Sequence, residues 1–197
     1  MSIDHGKLGH NNGPSMATGV RFRKLCWGKA RAQLLPKLPI EVIRRRVKRA
    51  GELGLDYKSY ASIRATSGHD VVAFLFSSNA LRLLKNNGTL PVDRVEKLKT
   101  LQRTGKLVAV NAPLTPDAMI AVAAHACIEL DTVINAPDMT HTWGQARSII
   151  LTALEPGKLP ADTVVAIGDT ALEREWCAAG RLAGYVSAQS FFGAQPG

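Results

Sequence analysis

Apolar positions in this chain fall into two textures, with the change near residue 70. Beyond that point short unbroken apolar runs alternate with longer amphipathic segments. Val71–Phe76, Leu107–Val110 and Val164–Ile167 are blocks of β-branched, aromatic or small apolar residues. A strand covered on both faces shows such a block, whereas a half-exposed strand alternates apolar with polar. The blocks predict buried strands over 71–76, 106–110 and 163–167, with shorter strands at 131–135 and 184–187. Helices are predicted between them, over 80–85, 92–101, 115–126, 142–154 and from Ala171 to Leu182. Strands alternating with helices imply a parallel sheet joined by right-handed crossovers. The expected fold is therefore an α/β, parallel-sheet, Rossmann-like domain over residues 67–190.

Before residue 67 the pattern is helical and basic. Residues 1–19 are turn-forming and hold little to bury, so a disordered tail is expected there. Helices are predicted over 20–35, from Pro39 or Ile40 to the glycines at 51 and 54, and over 55–64 with Asp56 as a candidate N-cap. Together they form an N-terminal basic helical extension over 20–66. Residues 191–197 are read as a closing tail.

Charge sharpens this division. The formal net charge is +9, but residues 1–66 hold 14 Lys and Arg against 4 Asp and Glu, while residues 67–197 hold 11 against 12. A basic segment on a nearly neutral domain points to a polyanion or an acidic protein surface. The candidate nucleic-acid contacts are Arg21, Arg23, Lys24, Arg44, Arg45, Arg46, Lys48 and Arg49. A protein partner or nucleic acid is expected there, and a homo-oligomer is a further expectation. No apolar run approaches the ~20 residues that span a bilayer, so no membrane partner is expected and the location is read as cytoplasmic. The three scattered cysteines are read as small buried residues, which suits a reducing compartment. Tyr57, Tyr60 and His125 are expected to pack, and Trp27, Trp143 and Trp176 to anchor cores or interfaces. His141 either lines a pocket beside Trp143 or lies in a loop.

The candidate chemistry sits where the strands end. In open α/β sheets ligands bind beyond the carboxyl ends of the strands. Here those ends offer Ser77 and Asn79, Asn111, and Asp169 with Glu173, all candidate ligand-binding residues. The glycines form neither a P-loop nor a dinucleotide fingerprint.

From residue 70 to about 187 the order of parts resembles the haloacid dehalogenase-like (HAD) superfamily of phosphohydrolases. The run Leu159-Pro160-Ala161-Asp162, a buried strand ending Gly168-Asp169-Thr170, then Glu173 and an alanine-rich helix closing on Ala183-Gly184-Tyr185, looks like that family's last motif. There, acidic residues hold magnesium. Gly105–Asn111 resembles its second motif, where a residue at the strand end contacts phosphate. The resemblance implies magnesium as cofactor and a lysine between the second and fourth strands, for which Lys158 and Arg147 are the cations available. The departure lies at the first strand. The family ends that strand in Asp-x-Asp, which supplies nucleophile and general acid. This chain has Ser77-Ser78-Asn79 instead, with no carboxylate between Val71 and Pro91. A serine there needs an activating base, and a magnesium site missing an aspartate loses much of its charge. The expectation is a non-catalytic HAD-like binding protein, without catalytic residues or a metal site, for a phosphate-bearing ligand or a protein partner. The alternatives are a nucleic-acid-binding or regulatory protein acting through residues 20–64, and a divergent metal-dependent phosphohydrolase.

Overall fold

The computed structural model describes residues 38–86 and 88–193. The predicted first helix, the tail before it, and Arg21, Arg23, Lys24 and Trp27 lie outside the described residues. The chain divides into two compact units, 1–42 and 43–197. Of the first, only 38–42 are described, where the Val42 amide donates to the Pro39 carbonyl at 2.9 Å.

Five strands form the second unit's sheet: β1 (Ala73–Ser77), β2 (Gly105–Val110), β3 (Thr132–Asn135), β4 (Val164–Gly168) and β5 (Gly184–Ser187). Their order is β3-β2-β1-β4-β5, and every pair is parallel. This is the Rossmann-like α/β architecture that the alternation predicts. The described helices are α1 (Ile40–Glu52), α2 (Tyr57–Ser67), α3 (Val92–Thr100), α4 (Pro116–His125), α5 (Trp143–Thr152), α6 (Ala171–Gly180) and α7 (Ala188–Gly193).

The unbroken apolar runs have their reason in β1. Phe74 and Phe76 enter one core with residues of α2, α3, α4 and α7, while Ala73 and Leu75 enter a second with α5 and α6. Successive side chains point to opposite faces. Both faces are covered, so the run has no polar alternation, and all five residues of β1 are buried. On the first face Phe191 stands edge-on to Phe74, with ring centroids 5.1 Å apart, and packs against Phe76 at 5.7 Å. That packing carries the fold to Gly193, beyond the expected limit at residue 190.

Residues 80–85 are not a helix. After β1 the chain makes hydrogen-bonded turns, with Leu81, Arg82 and Leu83 donating to Ser77, Asn79 and Ser78. Arg82 takes a left-handed conformation, φ 56°, which a helix cannot continue through. Leu81 and Leu83 are both buried, so their apolar character reflects a packed turn. His125 is exposed at the end of α4, its Nδ1 2.8 Å from the Ala121 carbonyl. Cys127 is exposed as well. Both lie at the end of α4, where a left-handed turn at Cys127, φ 54°, leaves them at the surface before Ile128 returns the chain to the core. Cys177 is partly buried.

The basic helices from residue 43 onward belong to the same compact unit as the sheet. Arg49 joins them to it. Its guanidinium donates to Asp70 Oδ2 at 3.3 Å, to the Val71 carbonyl at 2.9 Å, and to the Gln102 and Arg103 carbonyls at 3.3 and 3.2 Å. Asp70 also accepts the Tyr60 hydroxyl at 2.7 Å and pairs with Arg64 at 3.4 Å. Tyr60 is buried as expected, whereas Tyr57 is 37% exposed. His69 pairs with Asp162 at 3.4 Å, so it and its neighbour Asp70 serve different partners.

This clamp yields a stability prediction. Arg49→Ala leaves carbonyls and a carboxylate without their donor and lowers unfolding free energy by about 1–3 kcal/mol. Lys48→Ala, on an exposed neighbour, stays within about 0.5 kcal/mol. Urea denaturation of both variants measures the difference. Burial, and after it the Asp70 hydrogen bond, raise the Tyr60 pKa above its ordinary value. The folded state thus favours the neutral phenol. Its contribution holds below the unfolded value near pH ~10 and is lost as pH rises through the folded one. Tyr60→Phe should remove that alkaline loss from the stability profile.

Candidate functional site

The chain leaves β1 for β2 on one side and reaches β4 on the other, so the tips of β1, β2 and β4 stand together at the sheet's switch point. Such a crevice is where open α/β sheets bind ligands. Here a buried carboxylate stands beside it. Glu173, in the first turn of α6, is 1% exposed. Its Oε2 accepts the backbone amides of Asp169 at 2.6 Å and Thr170 at 2.9 Å. Its Oε1 accepts the side-chain amides of Asn79 at 2.8 Å and Asn111 at 3.3 Å.

Local sequence explains the arrangement. Thr170 is the N-cap of α6 and Glu173 the third helical residue, and each side chain bonds the other's backbone amide. This is a capping box. Gly168 makes room for the carboxylate. A Cβ there would come within 2.8 Å of Glu173 Cβ and Oε2 and 3.0 Å of the Tyr185 ring. The asparagines come from the neighbouring tips. Asn111 is held in turn by the Ser78 hydroxyl, which accepts its backbone amide at 3.0 Å.

Four of the five predicted residues therefore meet or adjoin one cluster: Asn79, Asn111, Glu173 and the backbone of Asp169. Asp169 itself is exposed. Ser77 is 1% exposed and its hydroxyl oxygen accepts the Ala80 amide at 3.0 Å. Among the described residues no histidine is hydrogen-bonded to that hydroxyl. Lys158 and Arg147 lie elsewhere. Lys158 is in the turn leading to the amino end of β4, opposite the tips, and Arg147 donates to the Ala179 carbonyl of α6 at 3.2 Å.

Magnesium requires a near-octahedral set of oxygens. Both oxygens of Glu173 are taken by N–H donors, and the two asparagines face it with nitrogen. That orientation follows from chemistry, since an amide oxygen turned to a carboxylate would meet a second acceptor. Among the described residues no group of three or more His, Cys, Asp or Glu is placed to hold a metal. The donor set at these tips does not fit magnesium.

Two cations near the tips had no place among the predicted site residues. Arg94 on α3 is 4% exposed, lies 4.0 Å above the Phe192 ring and pairs with Asp93 at 3.1 Å. Its Nε has no partner among the described residues. Burial lowers its pKa, as does the second cation, Arg82, while Asp93 and Asp169 oppose them. A signal existed: Arg94 stands four residues before Leu98 and so shares its buried face. His141 lies in the loop before α5 and there lines a cavity of about 380 Å³ with Trp143, Trp176 and Asp138. Thr140, followed by His141, holds the Asp138 carboxyl down at about 2. Trp176 is buried and Trp143 is 57% exposed.

The Arg44 to Arg49 cluster divides by face. Arg44, Arg45 and Lys48 are exposed and Arg46 is half-buried, while Arg49 turns inward to the clamp.

No family model and no curated protein matches this chain. Among solved structures it is similar to an uncharacterised protein from Corynebacterium glutamicum ATCC 13032 Kitasato. The likeness is 15% identity over 65% of this chain and 99% of that one, with a TM-score of 0.42. A likeness of that size leaves the functional reading to the chain's own geometry.

The cluster predicts a metal-free anion held by amide donors. Glu173→Ala leaves those donors unpaired in a buried place and should cost about 2–4 kcal/mol. Asn79→Asp sets a second carboxylate against the first and should destabilise by about 1–3 kcal/mol. Thermal unfolding of both variants, with and without millimolar magnesium, checks the assignment. Only the Asn79→Asp variant should regain stability with the cation, and a wild-type chain that gains as much would contradict it.

Proposed function

We propose that this chain is a HAD-like α/β binding protein without phosphohydrolase turnover, taking a phosphate-bearing ligand or a protein partner. The observation that carries this reading is the Glu173 carboxylate, which accepts Asn79 and Asn111 at 2.8 and 3.3 Å. Hydrogen bonds perform here the neutralising role that a metal ion performs in the family. The HAD resemblance is supported by position. The three strands that would bear the family's motifs, β1, β2 and β4, are adjacent, and their following residues converge on one point. The absence of turnover is supported by Ser77, which stands where the nucleophilic aspartate would be, buried and bonded to a backbone amide. Replacing aspartate by serine removes a nucleophile that needs no base.

A panel of phosphomonoesters with magnesium tests this. The expected result is turnover no greater than that of an Asp169→Asn variant. Magnesium-dependent turnover that disappears in the variant would overturn the proposal in favour of a divergent phosphohydrolase.

A second reading, nucleic-acid binding through residues 20–64, draws on the exposed positions of Arg44, Arg45 and Lys48 along α1. Phosphate contacts release counterions, so such binding falls steeply with salt. Titration with mixed-sequence DNA and RNA across a salt series separates it from the first. Salt-sensitive binding lost on replacing Arg44, Arg45 and Arg46 by Glu favours nucleic acid, and no binding at low salt removes it.

A further inference from the structure

At the strand tips the amide donors of Asn79, Asn111, Asp169 and Thr170 are already bonded to Glu173. A second cavity, of about 570 Å³, has the opposite character. It opens between α2, α6 and the carboxyl end of β5. Lys58 of α2 and Arg174 of α6 line it, with the hydroxyl residues Ser62, Ser187 and Ser190 and the ring of Tyr185. Both cations are exposed, and among the described residues neither is in an ion pair. The guanidinium of Arg174 lies over the Tyr185 ring, 5.0 Å from its centroid. A cation–π contact of this kind holds the guanidinium near the ring and leaves its N–H donors free for an oxyanion. Asp56, the carboxylate that also lines the cavity, accepts the Ser59 amide at 2.9 Å and caps α2.

We infer that this cleft binds a small organic phosphomonoester. Arg174 and Lys58 take the dianionic phosphate, and the serine hydroxyls supply neutral donors at its edge. A planar guanidinium matches two phosphate oxygens at once, and the ammonium adds charge without fixed geometry. The volume exceeds what a bare phosphate needs and falls in the range of small-molecule pockets. Ile63, Val186 and the Tyr185 ring provide apolar surface for the organic part. The cleft also touches the strand-tip cluster through one residue. Tyr185 lines the cavity, and its ring borders the space above Gly168 that Glu173 fills. The inference rests on the binding reading above and names both the ligand class and its place, away from the tips.

The test uses the full chain, ¹⁵N-labelled, titrated with adenosine 5′-monophosphate and glycerol phosphate, with adenosine as the phosphate-free control. Saturable shifts are expected at the amides of Lys58, Ser62, Arg174 and Ser187 with both esters and not with adenosine. Calorimetry on the Lys58→Ala, Arg174→Ala double variant should show affinity at least tenfold weaker. Both positions are exposed, so the variant keeps its fold and its spectrum reports this directly. Shifts centred instead on Ser77, Asn79 and Asn111 would overturn this inference while leaving the binding reading intact. No saturable binding of either ester would overturn it as well and leave a protein partner as the binding reading. Release of inorganic phosphate during the titration would overturn both.

Discussion

A carboxylate cannot be buried without something to hold its charge, and the architecture of the strand tips follows from that requirement. An isolated ionised group in a protein interior costs far more than a hydrogen bond returns unless several donors converge on it. Glu173 obtains its donors from three different strand ends: its own helix turn after β4, Asn79 after β1 and Asn111 after β2. The three strands are therefore joined at their tips as well as along their lengths. The protein's own buried carboxylate stands at the point where an open parallel sheet places its ligands. The bare backbone of Gly168 is part of the same solution, since a side chain there would collide with the carboxylate.

The two ends of the sheet are secured by different chemistry. At the carboxyl end neutral amides surround an anion. At the amino end of β1 an arginine gathers backbone carbonyls and an aspartate, bringing α1, α2 and the approach to β2 onto the sheet. Arg49 thus ties down structure, although in the sequence it is one of five basic residues within six positions. Charge counted along a helix does not distinguish the residue that faces inward from those that face water. The periodicity of α1 carries that information only once the buried face, with Ala50 at its centre, is known.

The sheet was legible because buried parallel strands leave an unmistakable trace. Val71–Phe76 and Val164–Ile167 have no polar residue within their apolar runs, and both become interior strands of the α/β sheet. The segment 80–85 was not legible. Its leucines suit a helix, and only the left-handed turn at Arg82, a tertiary constraint, excludes one. The site residues were partly visible as strand-end positions, but their relations were not. Asp169 and Glu173 look alike in sequence, yet one is exposed and the other sealed. The capping-box spacing from Thr170 to Glu173 was the local sign that the glutamate turns inward. Arg94 was not legible because an arginine on an apolar stripe is ordinarily expected to reach for solvent.

The central position of β1 has a consequence for how the chain comes together in time. Its β4 partner follows about 90 residues later, from Ala73 to Val164. The rings that seal its other face, Phe191 and Phe192, arrive later still. Non-local pairings of this kind are slow, because loop closure precedes any reward from contact. During synthesis Phe74 and Phe76 therefore leave the ribosome more than 100 residues ahead of the two rings that pack against them. Until α7 has emerged, burial of Phe74 and Phe76 rests on the earlier helices of the same core, α2, α3 and α4.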